Sequence, residues 1–445
     1  MRTFFKGTLL LVVAAFIGEC IEFIINMVLA KELGEEGMGL YMSILPSIFL
    51  IVILASLELP IAISKFAAEQ EERFHRSMLK HATRLTIIFT IGMLILVSLI
   101  LPFIPVFDEY HPLVRWVVII LIPVISFTSI TRGYFMGTHR MGKIAFSNFL
   151  RRFVQLLLLV FIYRLFNFEI ETSILIALCT IVVSDIVVFG YLGFTYIIQL
   201  KELNRKPRSF IDKKMVHQNL LSVSLPTTGL RIFHAVAHAV QPFLIKTALV
   251  TAGLTPNMAN EQFGLLAGVA LTIGFFPAFI AHSLLIVLIP TVSKAYADKD
   301  FRMLQSLLQK VFRFTCLYGI PAVFVFYLFA EPLTQLFFDS NSATLYLQIL
   351  WPYFLVHFFI IPMQAFLIGL GLVKEAFYHQ IWSTLISFVL MFVLGSLKPL
   401  QMEGIIIGMN TGALLIALMH YLVICKTIRI SVWSRSPVKN YLKFD

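Results

Sequence analysis

Long apolar stretches recur along this chain and are separated by short polar segments. A helix that crosses a bilayer needs about 20 mostly apolar residues, because the hydrocarbon core is about 30 Å thick. By that length rule the pattern predicts twelve spans, near residues 7–31, 38–62, 84–106, 113–136, 144–165, 172–198, 219–249, 263–291, 311–330, 344–369, 376–397 and 403–425. The first shows no small-residue cleavage site and reads as a span, not a removable leader. The gaps leave no room for a soluble domain. The expected fold is all-α and polytopic.

The charges support this map. If the amino terminus is cytoplasmic, the inner segments hold 29 of the 35 Lys and Arg and the outer segments 5, with only Arg231 left over. Basic residues accumulate on the cytoplasmic side of spans, so both termini are expected inside a cytoplasmic membrane. The outer loops are acidic, with Glu32, Glu35, Glu36, Asp108, Glu109, Glu169 and Glu171. The net charge of +11 would suggest nucleic acid in a soluble protein. Here the cations lie between apolar segments, and no nucleic-acid partner is expected. With 59% hydrophobic and 13% charged residues, the chain could not cover a soluble surface.

Two stretches repeat. Pro60-Ile-Ala-Ile-Ser64-Lys65 after the second span is echoed by Pro290-Thr-Val-Ser293-Lys294 after the eighth. Gly137 with Lys143-Ile-Ala145-Phe146 after the fourth is echoed by Gly369 with Lys374-Glu-Ala376-Phe377 after the tenth. Each pair is about 230 residues apart and falls on one side of the membrane, so the repeats are parallel. The expected organisation is a six-helix lobe at 1–200, a basic cytoplasmic linker at 201–218, a second six-helix lobe at 219–425 and a basic tail at 426–445, with a central cavity between the lobes. The stretches from Lys65 to Arg84 and from Lys294 to Arg313 read as amphipathic surface helices whose cations meet anionic lipid head groups, chiefly as anchors.

Charges within spans are costly, roughly 2.5–3.5 kcal/mol each on insertion scales, and avoid lipid. Glu19, Glu22 and Asn26 line one face of the first span. Arg231, His234 and His238 line one face of the seventh at the same spacing. One reading places both stripes on a shared cavity, where Arg231 and the histidines receive an anionic head group and Glu19 or Glu22 pairs with Arg231 when it is empty. The other is a static ion pair that fixes packing. Asp185, in the sixth span, is either a proton or sodium site or a cap for a neighbouring polar group. Glu58 reads as reaching the interface, and His282 and His357 as interior histidines. The four cysteines lack metal-ligand spacing, and there is no Walker A loop, HExxH, CxxC or nucleophile elbow. Neither catalytic residue, metal nor cofactor is expected, and the chain does not read as an enzyme.

Pro60 to Glu69 (PIAISKFAAE), Thr131 to Gly142 (TRGYFMGTHRMG) and Ser224 to Arg231 (SLPTTGLR) resemble the polysaccharide-transporter branch of the multidrug/oligosaccharidyl-lipid/polysaccharide flippase superfamily. The similarity is greatest to the stage V sporulation protein B group. It implies a flippase of lipid-linked oligosaccharide or peptidoglycan precursors working by alternating access in spore envelope formation, in a forespore membrane beside envelope-synthesis enzymes. Arg231 matches the arginine early in that family's seventh helix. In the fifth span the family tends to have Ser-Gln-x-x-Glu-Gln, where this chain reads Ser147-Asn-Phe-Leu-Arg151-Arg152, a cation in place of a carboxylate. Two rival readings stand beside the flippase: a cation-coupled exporter of small amphipathic compounds, and a non-transporting scaffold for envelope synthesis.

Overall fold

The computed structural model describes residues 2–138, 140–204, 212–338 and 341–429. Helices account for nearly all of them. In order they are α1 (Arg2–Ser56), α2 (Leu59–Glu69), α3 (Glu72–Ile100), α4 (Val114–Gly137), α5 (Met141–Leu165), α6 (Ile170–Asn204) and α7 (Lys213–Thr251). Then come α8 (Pro256–Gly264), α9 (Leu271–Phe275), α10 (Ala278–Ala297), α11 (Phe301–Leu328), α12 (Ala330–Gln335), α13 (Thr344–Ile349), α14 (Trp351–Gly369), α15 (Val373–Gly395) and α16 (Gln401–Thr427). A π-helical segment, Leu265–Ala270, joins α8 to α9.

Eleven stretches among the described residues are long and apolar enough to cross a membrane. The first, Ala15–Ala68, runs for 54 residues. At 1.5 Å per residue that is about 80 Å, far more than one crossing of a core about 30 Å thick. It breaks at Gly34, whose φ of 68° and ψ of −178° suit only glycine. The stretch therefore supplies the first two spans, giving twelve crossings. The expected outer loop around Glu32 to Glu36 is a single-residue break in a helix. Nearby, Tyr110 is buried and donates to the Leu40 carbonyl at 2.8 Å. Burial, helped by Glu109, pushes its hydroxyl pKa well up, so it stays a donor.

The chain divides into two compact units, Met1–Pro242 and Phe243–Asp445. The division falls inside α7. Of the basic linker, residues 205–211 lie outside the described residues, as does the tail from 430.

Each unit has its own core, and the two cores use matching positions of the repeat. In the first, Leu59, Ala62, Ile63 and Phe66 of α2 meet Met78, Leu79 and Ala82 of α3 and Ile130, Tyr134 and Phe135 of α4. In the second, Leu288, Val292 and Ala295 of α10 meet Leu304, Leu308 and Val311 of α11 and Met363, Phe366 and Leu367 of α14. The glycines of the repeat explain the close approach. A Cβ on Gly137 would stand 2.5 Å from the Ser64 carbonyl oxygen, and one on Gly369 would stand 2.9 Å from that of Ile289. Outward faces are apolar: on α3, Ile88, Ile91, Ile95 and Leu99 are exposed while Thr86, Thr90, Met93 and Val97 are buried. Such faces suit lipid, not water.

The surface helices take a different form from the one expected. The Lys65–Arg84 stretch is divided at Gln70 and Glu71 between the end of α2 and the start of α3. Its counterpart is divided at Asp298 to Asp300, between α10 and α11. Each is a helix–turn–helix formed by the ends of two long helices, not a separate surface helix. The eighth span breaks at Phe276 and Pro277, where proline removes a helical donor. The second span breaks without glycine: Leu57 and Glu58 both take φ 46°.

Candidate functional site

The polar residues at membrane depth form three groups within the first unit, and their pairing differs from the expected one. Glu19 and Glu22 do not pair with Arg231. They hold Arg152 of α5 between them, with Arg152 Nη2 donating to Glu19 Oε1 at 3.2 Å and Nε lying 3.3 Å from Glu22 Oε2. The i, i+3 spacing on α1 puts both carboxylates on one face, where one guanidinium can meet both. Gly18, just before them, leaves room for that guanidinium, since a Cβ there would collide with it. The cation in place of the family's carboxylate is Arg151, and its neighbour Arg152 is the counter-ion of the acidic stripe. Asn26 lies one turn further along α1, half-buried.

Arg151, the preceding residue of α5, turns to α6. Its Nη1 is 3.9 Å from Asp185 Oδ2, and the Asp185 side chain is only 9% exposed. Arg132 of α4 lies within electrostatic range of both. Asp185 therefore sits among guanidinium groups, not in an acidic pocket. Arg151 and Arg152 lie about three turns inside α5, so they do not belong to the inner-loop charges; the asymmetry of the remaining cations is still pronounced.

Arg231 sits midway along α7 and pairs with Glu58: Nη1 donates to Oε1 at 2.5 Å. The two partners differ in burial. The Glu58 side chain is 5% exposed and that of Arg231 59%. Glu58 also has left-handed backbone geometry immediately before α2, as does Leu57. Two consecutive non-glycine residues there cost about 1–2 kcal/mol each, so the surrounding structure must hold this break. The ion pair to Arg231 is one such restraint, and Pro60, which suits the first turn of a helix, is another. His234 and His238 continue the Arg231 face one and two turns along α7.

Glu58, expected to reach the interface, is instead buried and paired with Arg231. The available signal was an acid next to a proline in an otherwise apolar span. In the second unit, His357 packs among Phe275 and Tyr353, with ring centroids 4.8 and 5.8 Å away, as an interior histidine does. Among the described residues no group of three or more His, Cys, Asp or Glu could hold a metal ion.

Comparison with known proteins places this architecture. The family profile described as polysaccharide biosynthesis protein matches residues 4–294, and the MatE profile matches 266–390. Among curated proteins of Bacillus subtilis (strain 168), the chain is 54% identical to Sporulation protein YkvU, covering 97% of each. It is 31% identical to Stage V sporulation protein B, over 97% of this chain and 85% of that one. It is 21% identical to Lipid II flippase MurJ, over 92% and 80%. Among solved structures, an inward-facing multidrug resistance MATE family transporter of the MOP superfamily superposes with a TM-score of 0.73 at 16% identity, covering 92% of this chain and 94% of that one. The chain is a multi-pass membrane protein of the MOP transporter and flippase superfamily, and it belongs to the polysaccharide biosynthesis protein family within it.

Proposed function

We propose that this protein carries a lipid-linked oligosaccharide or peptidoglycan precursor across the cytoplasmic membrane by alternating access, and that Arg231 receives its pyrophosphate. The observation that carries this reading is the unequal burial of the Arg231–Glu58 pair. A guanidinium has five N–H donors in a planar fork that matches phosphate oxygens. Glu58 takes a hydrogen bond from Nη1 and holds the side chain in place. The exposed remainder is free to meet a second anion without displacing Glu58. His234 and His238, on the same face, extend the polar surface along which a sugar head group would lie.

Further support comes from the relatives. One is named as a lipid II flippase and two carry sporulation in their names. A role in spore envelope formation follows, in a forespore membrane and beside envelope-synthesis enzymes. The charge asymmetry supports both termini in the cytoplasm. The two repeats, joined by the basic linker, would act as the alternating halves.

The test replaces Arg231 with Ala and with Lys and follows exposure of a lipid-linked precursor on the far face of vesicles. Loss with both changes is expected, because an ammonium does not reproduce a bidentate fork. Full activity of Arg231→Ala would refute the reading.

A further inference from the structure

The Arg132-Gly133-Tyr134-Phe135 motif is only partly explained by the packing of Gly133, Tyr134 and Phe135. Gly133 allows α4 to touch α2, where a Cβ would stand 2.8 Å from the Pro60 carbonyl oxygen, and both aromatic rings are buried in the first unit's core. Arg132 does none of this. Its Nε is buried and has no hydrogen-bond partner. The residue as a whole is half-buried. Arg151, a second guanidinium, lies nearby and is itself 30% exposed.

Close pairing around this point is incomplete. Arg132 and Arg151 share one carboxylate, Asp185, which lies 3.9 Å from Arg151 and is too distant for a close hydrogen bond. Glu19 and Glu22 bring the carboxylates of this region to three, equal to its guanidiniums, but both close on Arg152 and neither is bonded to Arg132. A buried guanidinium donor with no partner is unfavourable unless an acceptor joins it. Arg132 lies five residues before the end of α4, or about 7.5 Å from it at 1.5 Å per residue.

We infer that Arg132 and Arg151 form a second anion site in the first unit, separate from Arg231, that takes a phosphate group between two guanidiniums. Paired guanidiniums favour phosphate over a monovalent halide, because each can present two parallel N–H groups to its oxygens. The phosphate could arrive free or on a lipid.

The full-length purified protein tests this by native mass spectrometry, titrated separately with inorganic phosphate, phosphatidylglycerol and phosphatidylcholine. Arg231→Ala serves as the background, so that the site proposed above cannot contribute. The expected result is retained binding of inorganic phosphate or phosphatidylglycerol in Arg231→Ala. Adding Arg132→Gln should weaken it about tenfold or more, the scale of one charged hydrogen bond, and Arg132→Lys should restore part of it. Binding of inorganic phosphate would identify a soluble anion as sufficient. Binding of phosphatidylglycerol alone would identify a lipid. Should Arg132→Gln not fold, Arg151→Gln with Asp185→Asn, which removes the second guanidinium together with its counter-ion, carries the same expectation. Equal binding with and without Arg132, or equal retention of phosphatidylglycerol and phosphatidylcholine with no binding of inorganic phosphate, would overturn the inference. Complete loss of binding in Arg231→Ala alone would overturn it as well, while leaving the role of Arg231 intact.

Discussion

Replacing Arg152 with Met removes a cation of similar length from between two carboxylates. Both contacts are close, 3.2 Å to Glu19 and 3.3 Å to Glu22, and the three side chains are only 23%, 38% and 38% exposed. Breaking a fully buried pair costs about 3–5 kcal/mol, whereas exposed pairs contribute about 0.2–1 kcal/mol. A cluster about one-third exposed falls between these limits, so Arg152→Met should cost about 2–3 kcal/mol, or roughly 30–150-fold in the folded-to-unfolded ratio. The substitution also leaves two like charges one turn apart on α1. Neutralising them with Glu19→Gln and Glu22→Gln should recover most of the loss, since coupled residues do not contribute additively. Reversible denaturation in mixed detergent micelles measures each variant. Arg152→Met with unchanged stability but no transport would refute the reasoning, because the cluster would then be part of the transport path and not a brace for α1 and α5.

Asp185→Asn should leave precursor transport within about twofold of the parent and create no new dependence on a sodium or proton gradient. Two guanidiniums near Asp185 oppose a bound cation by several kcal/mol at an effective dielectric of about 20, and a gradient-dependence assay in vesicles checks it. Gly137→Ala should destabilise by about 1–3 kcal/mol, as overpacking does, because its Cβ would meet the Ser64 carbonyl oxygen; thermal unfolding reads the change. Tyr110→Phe should cost about 1 kcal/mol for the lost bond to the Leu40 carbonyl. Its effect should be flat from pH 6 to pH 9, since the raised pKa keeps the hydroxyl protonated there.

Hydropathy and charge alternation were enough to read the twelve crossings, because lipid requires every span to be long, apolar and internally hydrogen-bonded. The repeat was legible for a similar reason: Gly137 and Gly369 stand where helices touch, and close contact limits which residues fit there. Pairing was not legible. Helical spacing shows which residues share a face, as Glu19 and Glu22 do, but not which helix that face meets. The family pattern draws attention to Arg151, where a cation stands for a carboxylate, but does not show that the adjacent Arg152 is the partner of those two carboxylates. The break at Leu57 and Glu58 was also hidden, because neither residue favours φ 46° and tertiary contacts impose it. The spans expected at 7–31 and 38–62 leave a gap around Gly34, whereas the helix continues up to that single residue on both sides.

In the proposed function Arg231 recognises the charged pyrophosphate and not the hydrocarbon tail. The most direct measurement compares far-face exposure of a pyrophosphate-linked polyprenyl glycan with that of the same polyprenyl glycan on a neutral linkage, in vesicles holding the parent or Arg231→Lys. The account predicts that the parent moves the charged lipid at least about tenfold faster, and that Arg231→Lys erases this preference. Equal rates for both lipids in the parent, or a preference that survives in Arg231→Lys, would contradict it.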